Sequence, residues 1–274
     1  MDLRSIRLGI EIDGQMHYYL SDSGFAIHAT GTKFATAKKN EISIDIKGLK
    51  RETINYLLGN VRPFDRTASK HLVTLDAGRQ KAGLQPLFVG DIVGVSPSQP
   101  PDNTVTIQGV TGNTASHKIV STGGKGRVRL SELAQGVASD IGAVLQFETQ
   151  DKLIGSYTYT GSAWGQVQRL AELGQCRAFL DDGVLLVSDN EKPVKGRVRR
   201  LTADSGMIGV PTITEYGIDV SFLIDGYPCE VGGGLIVESV INPAANGNYI
   251  IAQLGFDVSS HDDAFFYTAK CKAW

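Results

Sequence analysis

Residues 41–48 read EISIDIKG. Ile42, Ile44 and Ile46 fall on one parity, and Ser43, Asp45 and Lys47 on the other. A period of two with one wet face predicts a strand of an antiparallel sheet, packed on one side only. The same pattern recurs outward in both directions. HLVTLDAG (71–78) sets Val73, Leu75 and Ala77 against Thr74 and Asp76, and NTVTIQG (103–109) sets Val105 and Ile107 against threonine and glutamine. Far downstream, GIDVSFLID (217–225) aligns Ile218, Val220, Phe222 and Ile224. NYIIAQLGFDV (248–258) aligns Ile250, Ala252, Leu254, Phe256 and Val258. The 32 glycines, without a collagen period, fit a chain of many turns and strands.

Helical spacing interrupts the strands. LKRETINYLLGN puts Ile54, Leu57 and Leu58 on one stripe, with Gly59 as a stop. RLSELAQGVASDIGAVL carries Leu130, Leu133, Ala134, Val137, Ala138 and Ile141 at helical intervals, with Ser131 as the expected cap. SAWGQVQRLAELG predicts a second such helix, capped by Ser162, with Val167, Leu170 and Ala171 inward and Gly174 as its stop. CRAFLDDGVLLVSD then reads as a hairpin turning at Asp182-Gly183. The expected fold is mainly β with an α+β middle. Two β regions (1–118, with a short helix, and 201–274) flank a helix-and-hairpin module (119–200).

A phrase occurs twice. FVGDIVGVS (88–96) and EVGGGLIVES (230–239) each follow an alternating strand and precede a loop of proline and asparagine and then another strand. The shared order predicts a duplication, with the two phrases as corresponding hairpins. KGRVRL (125–130) and KGRVRRL (195–201) echo each other at the borders of the middle.

Composition and motifs exclude several kinds of chemistry. The net charge of −2 argues against nucleic acid as the main ligand, which would favour a basic excess. Three scattered cysteines, Cys176, Cys229 and Cys271, give neither a disulfide framework nor a zinc spacing, so they read as thiols in a reducing cytoplasm. No apolar run approaches the length of about 18 residues that spans a bilayer, and the first residues lack the pattern of a signal peptide. The five histidines stand apart. STGGKGR (121–127) lacks the serine or threonine that a phosphate loop needs after its lysine, so it reads as a linker. His261-Asp262-Asp263 reads as a polar hairpin tip, and Asp181-Asp182 as turn residues rather than a glycosidase pair. No catalytic, metal-binding or cofactor-binding residue is assigned. The residues that stand out as a candidate interface are the basic run Lys195, Arg197, Arg199 and Arg200, together with Phe265, Phe266 and Trp274.

The order of motifs in the final third resembles a family. SGMIGVPTITEYGIDVSFLIDG, GGGLIVES and GNYIIAQLGFDVSSHDDAFFYTAKCKAW together resemble the baseplate hub proteins of contractile-tailed bacteriophages, relatives of the hub part of type VI secretion spike proteins. The matching positions are Gly206 to Pro211, Gly217 to Asp225, Leu235 to Ser239 and Gly247 to Tyr249, while His261 stands off the place of the family's histidine. GSYTYTGSAWGQVQRLAELGQCRAFLDDGVLLV is similar to the family's helix-and-hairpin module, and LVTLDAG with LFVGDIVGV to its first barrel. The resemblance covers most of residues 40–274.

The resemblance implies a structural hub without a cofactor. It implies that residues 1–118 and 201–274 are two related β-barrel domains. It also implies a homotrimer, in a phage tail or tailocin, whose paired barrels form a pseudo-sixfold ring between the sixfold tail tube, or a tube-initiator ring, and a threefold central spike carried on a separate chain. The tape-measure C-terminus and wedge proteins are further expected neighbours. No membrane and no specific nucleic acid is expected, although a genome would pass through the lumen. The implied place is the virion baseplate, after synthesis in the host cytoplasm. The alternatives are a tail-associated cell-wall hydrolase, which needs converging carboxylates, and a carbohydrate-binding module, which needs exposed loop aromatics.

Overall fold

A computed structural model describes residues 3–61, 71–99, 103–123 and 126–274. The N-terminal strands are β1 (Arg4–Ile12), β2 (Gln15–Leu20), β3 (Ala26–Phe34), β4 (Glu41–Lys47), β5 (Leu72–Arg79), β6 (Gly83–Pro97) and β7 (Thr104–Val110), with α1 (Arg51–Asn60) between β4 and β5. The middle holds α2 (Asn113–His117), β8 (Ile119–Gly123), β9 (Arg127–Arg129), α3 (Leu130–Ile141), β10 (Val144–Glu148), β11 (Leu153–Gly155), β12 (Thr158–Ser162), α4 (Ala163–Gly174), β13 (Arg177–Asp181) and β14 (Val184–Ser188). The C-terminal part adds β15 (Val198–Leu201), β16 (Met207–Thr214), β17 (Gly217–Leu223), β18 (Gly234–Val237), β19 (Gly247–Ser259) and β20 (Phe265–Ala273). The protein is mainly β with an α+β middle, as the alternation and the helical stripes require.

The strands of the two β regions do not form separate sheets. One 13-stranded sheet runs β16-β17-β20-β19-β3-β4-β7-β6-β5-β1-β2, with β18 and β15 branching from β19. The joint is β19. The first part of its edge pairs with β18, Gly247 to Ile250. The rest of that edge pairs with β3, from Gln253 opposite Phe34 to Ser259 opposite His28. A shared hydrophobic core lies behind this sheet, so Ile44 and Ile46 of β4 belong to the same cluster as Val220 and Phe222 of β17. The inward parity read from EISIDIKG is the buried one.

The repeated phrase holds in part. β6–β7 and β18–β19 are both antiparallel neighbours, each pair with proline and asparagine in the sequence between them. Phe88–Ser96, however, is one continuous stretch of β6 and not a hairpin. Gly90 serves close packing there, because a Cβ would meet Phe88 Cζ and the Val110 carbonyl oxygen, each at 2.7 Å. The strands before the phrase also differ. β5 pairs with β6, whereas β17 pairs with β16 and β20 and leaves the second edge of β18 to the parallel β15.

The middle module has its own core of Leu130, Leu133, Ala134, Val137 and Ala138 from α3, Val167 and Leu170 from α4, and Leu185 and Val187 from β14. Ser162 caps α4 as expected, accepting the Gly165 N–H at 3.0 Å. Ser131 does not cap α3. It lies inside the helix, and its N–H and hydroxyl both donate to the Asp151 carboxylate, at 3.0 and 2.8 Å. The cap is therefore supplied by a residue 20 positions away, and these two hydrogen bonds, ahead of the Arg129 ion pair, hold the Asp151 carboxyl below its ordinary value. Asp182 and Gly183 have φ of 46° and 85°, the left-handed pair that a two-residue hairpin turn needs. Of STGGKGR, Gly124 and Lys125 lie outside the described residues. Its flanks are not a linker: Ser121–Gly123 pairs with β12 and Arg127 with β11.

A buried ionic cluster fastens this module to the sheet. Lys33, on β3, is 4% exposed in its side chain and reaches Asp181 at 2.8 Å and Asp182 at 2.7 Å, on the tip of the β13–β14 hairpin. Asp182 also accepts the Val89 N–H of β6 at 2.9 Å. The Asn40 amide donates to the Leu180 carbonyl and to Asp181, at 3.2 and 3.4 Å, while its oxygen accepts the Phe34 N–H at 2.9 Å. Burial works against the Lys33 charge, but the two carboxylates outweigh it and raise the ammonium above the ordinary lysine value of 10.5. Burial also pushes the Asp181 carboxyl up, with Lys33 pulling against it; the geometry, with ammonium and amide donors both aimed at that carboxylate, favours the charged pair. Asp181-Asp182 is thus more than a turn.

Two consequences can be measured. A Cβ at Gly31 would meet Phe256 Cζ of β19 at 2.3 Å across the joint and the Glu41 carbonyl oxygen of β4 at 2.9 Å. Gly31→Ala should therefore cost about 1–3 kcal/mol in denaturant unfolding, and an unchanged midpoint would show that the joint yields freely. Lys33→Met strands two carboxylates at the junction and should cost about 3–5 kcal/mol. Because the folded Lys33 pKa lies above 10.5, its contribution is complete below that pH and fades as pH rises through the folded value. Wild-type stability should fall in that alkaline range, and the difference from Lys33→Met should shrink with it.

Candidate assembly surfaces

The scattered histidines stay scattered. His28 pairs with Asp257 at 2.9 Å, and His261 Nδ1 lies 2.6 Å from the Ser260 hydroxyl. His71 is buried edge-on to Tyr56, with ring centroids 5.8 Å apart. Among the described residues no group of three histidine, cysteine or acidic side chains could hold a metal. No described helix is long and apolar enough to cross a membrane. Cys176 and Cys271 are buried and Cys229 half-buried, all as free thiols. Burial pushes the Cys229 thiol up to about 12, so it is no ready nucleophile.

The three arginines of the basic run are paired within the chain. Arg197 pairs with Glu230. Arg199 pairs with Asp225 at 2.7 Å and Arg200 with Glu238 at 2.6 Å. Arg199 is nearly buried, with its guanidinium 5.0 Å from the Phe222 ring centroid and 5.8 Å from that of Tyr227. These pairs clip β15 to the segments around β18, beside a cavity of about 560 Å³ lined by Arg197, Arg199, Tyr227, Cys229 and Ile251. Lys195 is exposed, and its backbone N–H donates to Glu148 at 2.9 Å.

The C-terminal aromatics separate. Phe265 is wholly buried in the core, beneath the guanidinium groups of Arg4 and Arg79, so it is removed from the candidate interface. The reason is strand parity: Phe265, Tyr267, Ala269 and Cys271 alternate inward along β20. Phe266 is half-buried on the other face and Trp274 is exposed. Surface residues of the expected set are thus Lys195, Arg200, Phe266 and Trp274.

A larger apolar surface lies elsewhere. β16 exposes Ile208, Val210 and Ile213, and Tyr216 follows at 76% exposure. Val240 and Ile241 stand beside them, Val240 at 91%. Asn242 ties their loop to β16 by donating its amide to the Pro211 carbonyl at 2.9 Å. No charged residue occurs in β16, MIGVPTIT, or in β2, QMHYYL, at the other end of the sheet. β15, the third open edge, carries two arginines. Sequence reasoning missed this surface, because the apolar run of β16 resembles any core strand until its place at the end of the sheet is known.

The comparisons with known proteins fit this architecture. A tail protein from Neisseria meningitidis MC58 has a similar fold with a TM-score of 0.66 at 9% identity, over 97% of this chain and 96% of that one. The 43 kDa tail protein of prophage MuSo2 from Shewanella oneidensis matches with a TM-score of 0.66 at 11% identity, over 97% and 96%. The E. coli c3393 protein, described as a component of the type VI secretion system with structural similarity to the T4 tail proteins gp27 and gp5, matches with a TM-score of 0.60 at 12% identity, over 91% and 73%. At such identities the likeness is one of fold. No curated protein matches by sequence. The family model described as Baseplate hub gp41 matches residues 5–271. The resemblance carried by the strand and turn motifs is therefore borne out, and the chain belongs to this family of phage baseplate hub proteins.

Proposed function

We propose that the protein is the non-enzymatic hub of a tail baseplate, three copies of which form a ring between the tail tube and the central spike. The observation that carries this reading is the fusion of two β regions through β3 and β19 into one sheet. With the shared β6–β7 and β18–β19 order, a single chain presents two similar units. Three chains then present six, the number a sixfold tube requires, while keeping a threefold axis for a spike. On this reading residues 1–118 and 201–274 are the two barrel units, and residues 119–200 a module fastened on by the Lys33 cluster. The type VI relative, described as similar to tail proteins gp27 and gp5, supports neighbours of the tube and spike kind. The place of action is the virion, after synthesis in the host cytoplasm.

Function here is geometric. A ring of obligate contacts of this kind buries roughly 2,000 Å² or more per interface, and a head-to-tail contact closes only if its rotation fits the ring. Size exclusion with light scattering should give a mass three times that of the chain. Electron microscopy after adding the tube and spike proteins of the same tail should place that trimer between them. A species that stays monomeric at high concentration and with both proteins added would overturn the reading.

A further inference from the structure

The large sheet ends in three open edges among the described residues, and their chemistry differs. β15 is guarded: Arg199 and Arg200 lie on it with carboxylates drawn up beside them. Charges of this kind block stray strand addition. The two ends of the main path, β16 and β2, have no such guard. Each pairs on one side only, β16 with β17 and β2 with β1. β16 is flanked by six large apolar side chains in water: Ile208, Val210, Ile213, Tyr216, Val240 and Ile241. Ile208 stands opposite Ser221 and Ile213 opposite Ile218, so apolar side chains are exposed on both faces of this edge strand, as on a surface that is covered in the working assembly. β2 carries no charged residue of its own; Tyr18 is exposed, with the Arg7 guanidinium of β1 5.3 Å from its ring centroid, and Met16 and Leu20 are half-buried.

The chain itself shows which kind of contact its two β regions make. β3, an end strand of the N-terminal region, pairs with β19 of the C-terminal region. The sheet therefore runs from β16 through the C-terminal strands to β19, across the joint to β3, and through the N-terminal strands to β2. A ring in which N-terminal and C-terminal regions alternate needs a second joint of the same kind. Among the described residues, the ends of the main path left to make it are β2 of one copy and β16 of the next.

We infer that β16, with Val240 and Ile241 behind it, is the docking edge for β2 of a neighbouring copy, so that the sheet continues from chain to chain. The contact is head-to-tail: each copy gives one edge and receives the other, which builds a ring rather than a twofold pair. Main-chain hydrogen bonds along the edges supply pairing, and the apolar strip supplies burial. This rests on the three-copy reading above.

The test uses the full chain. Ile208→Glu and Ile213→Glu place a carboxylate on the edge without touching the core. They should lower the trimer fraction at least ten-fold by light scattering, with the melting temperature within a few degrees of wild type. In a Cys229→Ser background, Tyr18→Cys is combined in turn with Ile208→Cys, Thr212→Cys and Ile213→Cys. On oxidation, at least one pair should give a two- and three-chain ladder on a non-reducing gel, absent from each chain that carries only one of the introduced cysteines beside the buried Cys176 and Cys271. A trimer that survives both glutamates and yields no ladder overturns the edge assignment and leaves the three-copy reading standing. Dimers from a β16 cysteine alone would mean a twofold β16–β16 contact and would also overturn it. A wild-type chain that is monomeric throughout removes the reading on which it rests.

Discussion

The structure depends on β19 being longer than any strand it pairs with on one edge. A strand of 13 residues can satisfy its backbone N–H and C=O groups against two shorter strands placed end to end, here β18 and β3. Unpaired buried backbone groups are costly, so once the first residues of β19 are taken by β18, the remainder must find another edge. β3 is that edge. The two ends of the chain are thereby locked into one sheet over a common core, and β-regions more than 200 residues apart in sequence become one body. The close fit at Gly31 and Phe256 shows how little room the joint leaves.

The same strand carries the second fastening. Lys33 lies at the inward parity of β3, where alternation otherwise calls for an apolar residue, and the sheet tolerates it because the β13–β14 turn brings two carboxylates to it. A buried pair of this kind adds little net stability over well-packed hydrophobic residues. It does restrict geometry, because the turn must sit where both carboxylates, the Asn40 amide and the Val89 N–H are satisfied together. The middle module is set at one angle against the sheet, which suits a part that must present a fixed surface.

Much of this fold is legible in the amino-acid sequence because much of it is local. The isoleucines of 41–48, the stripes of α3 and α4, the Ser162 cap and the Asp182-Gly183 turn are each decided by residues a few positions apart. The misreadings share the opposite cause. That Arg197, Arg199 and Arg200 meet Glu230, Asp225 and Glu238, far downstream in sequence, is visible only in the folded chain. Ser131 looks like a cap until Asp151 arrives from a later loop. Phe265 differs: strict alternation along FFYTAKCKA puts it inward with Tyr267, so its burial is local information. Lys33 gave a comparable signal, a lysine at an inward position, which predicts a buried acidic partner without saying which one.

The edges of the sheet show why charge and its absence are distributed as they are. A sheet open at its ends aggregates unless each edge is covered or guarded. β15 is guarded by arginines whose charge is neutralised inside the chain, so the guard does not repel the β18 it must pair with. Guarding β16 or β2 in the same way would set a desolvation cost on any strand that docked there. Leaving both uncharged removes that cost but exposes the chain to mispairing during synthesis. The bulge in β16 between Ile208 and Thr212, with Pro211 lacking an N–H to offer, limits that risk. It interrupts the flat ladder that an arbitrary strand would extend, while leaving apolar side chains for a partner shaped to the bulge. Backbone shape rather than charge is then what distinguishes one docking strand from another at this edge.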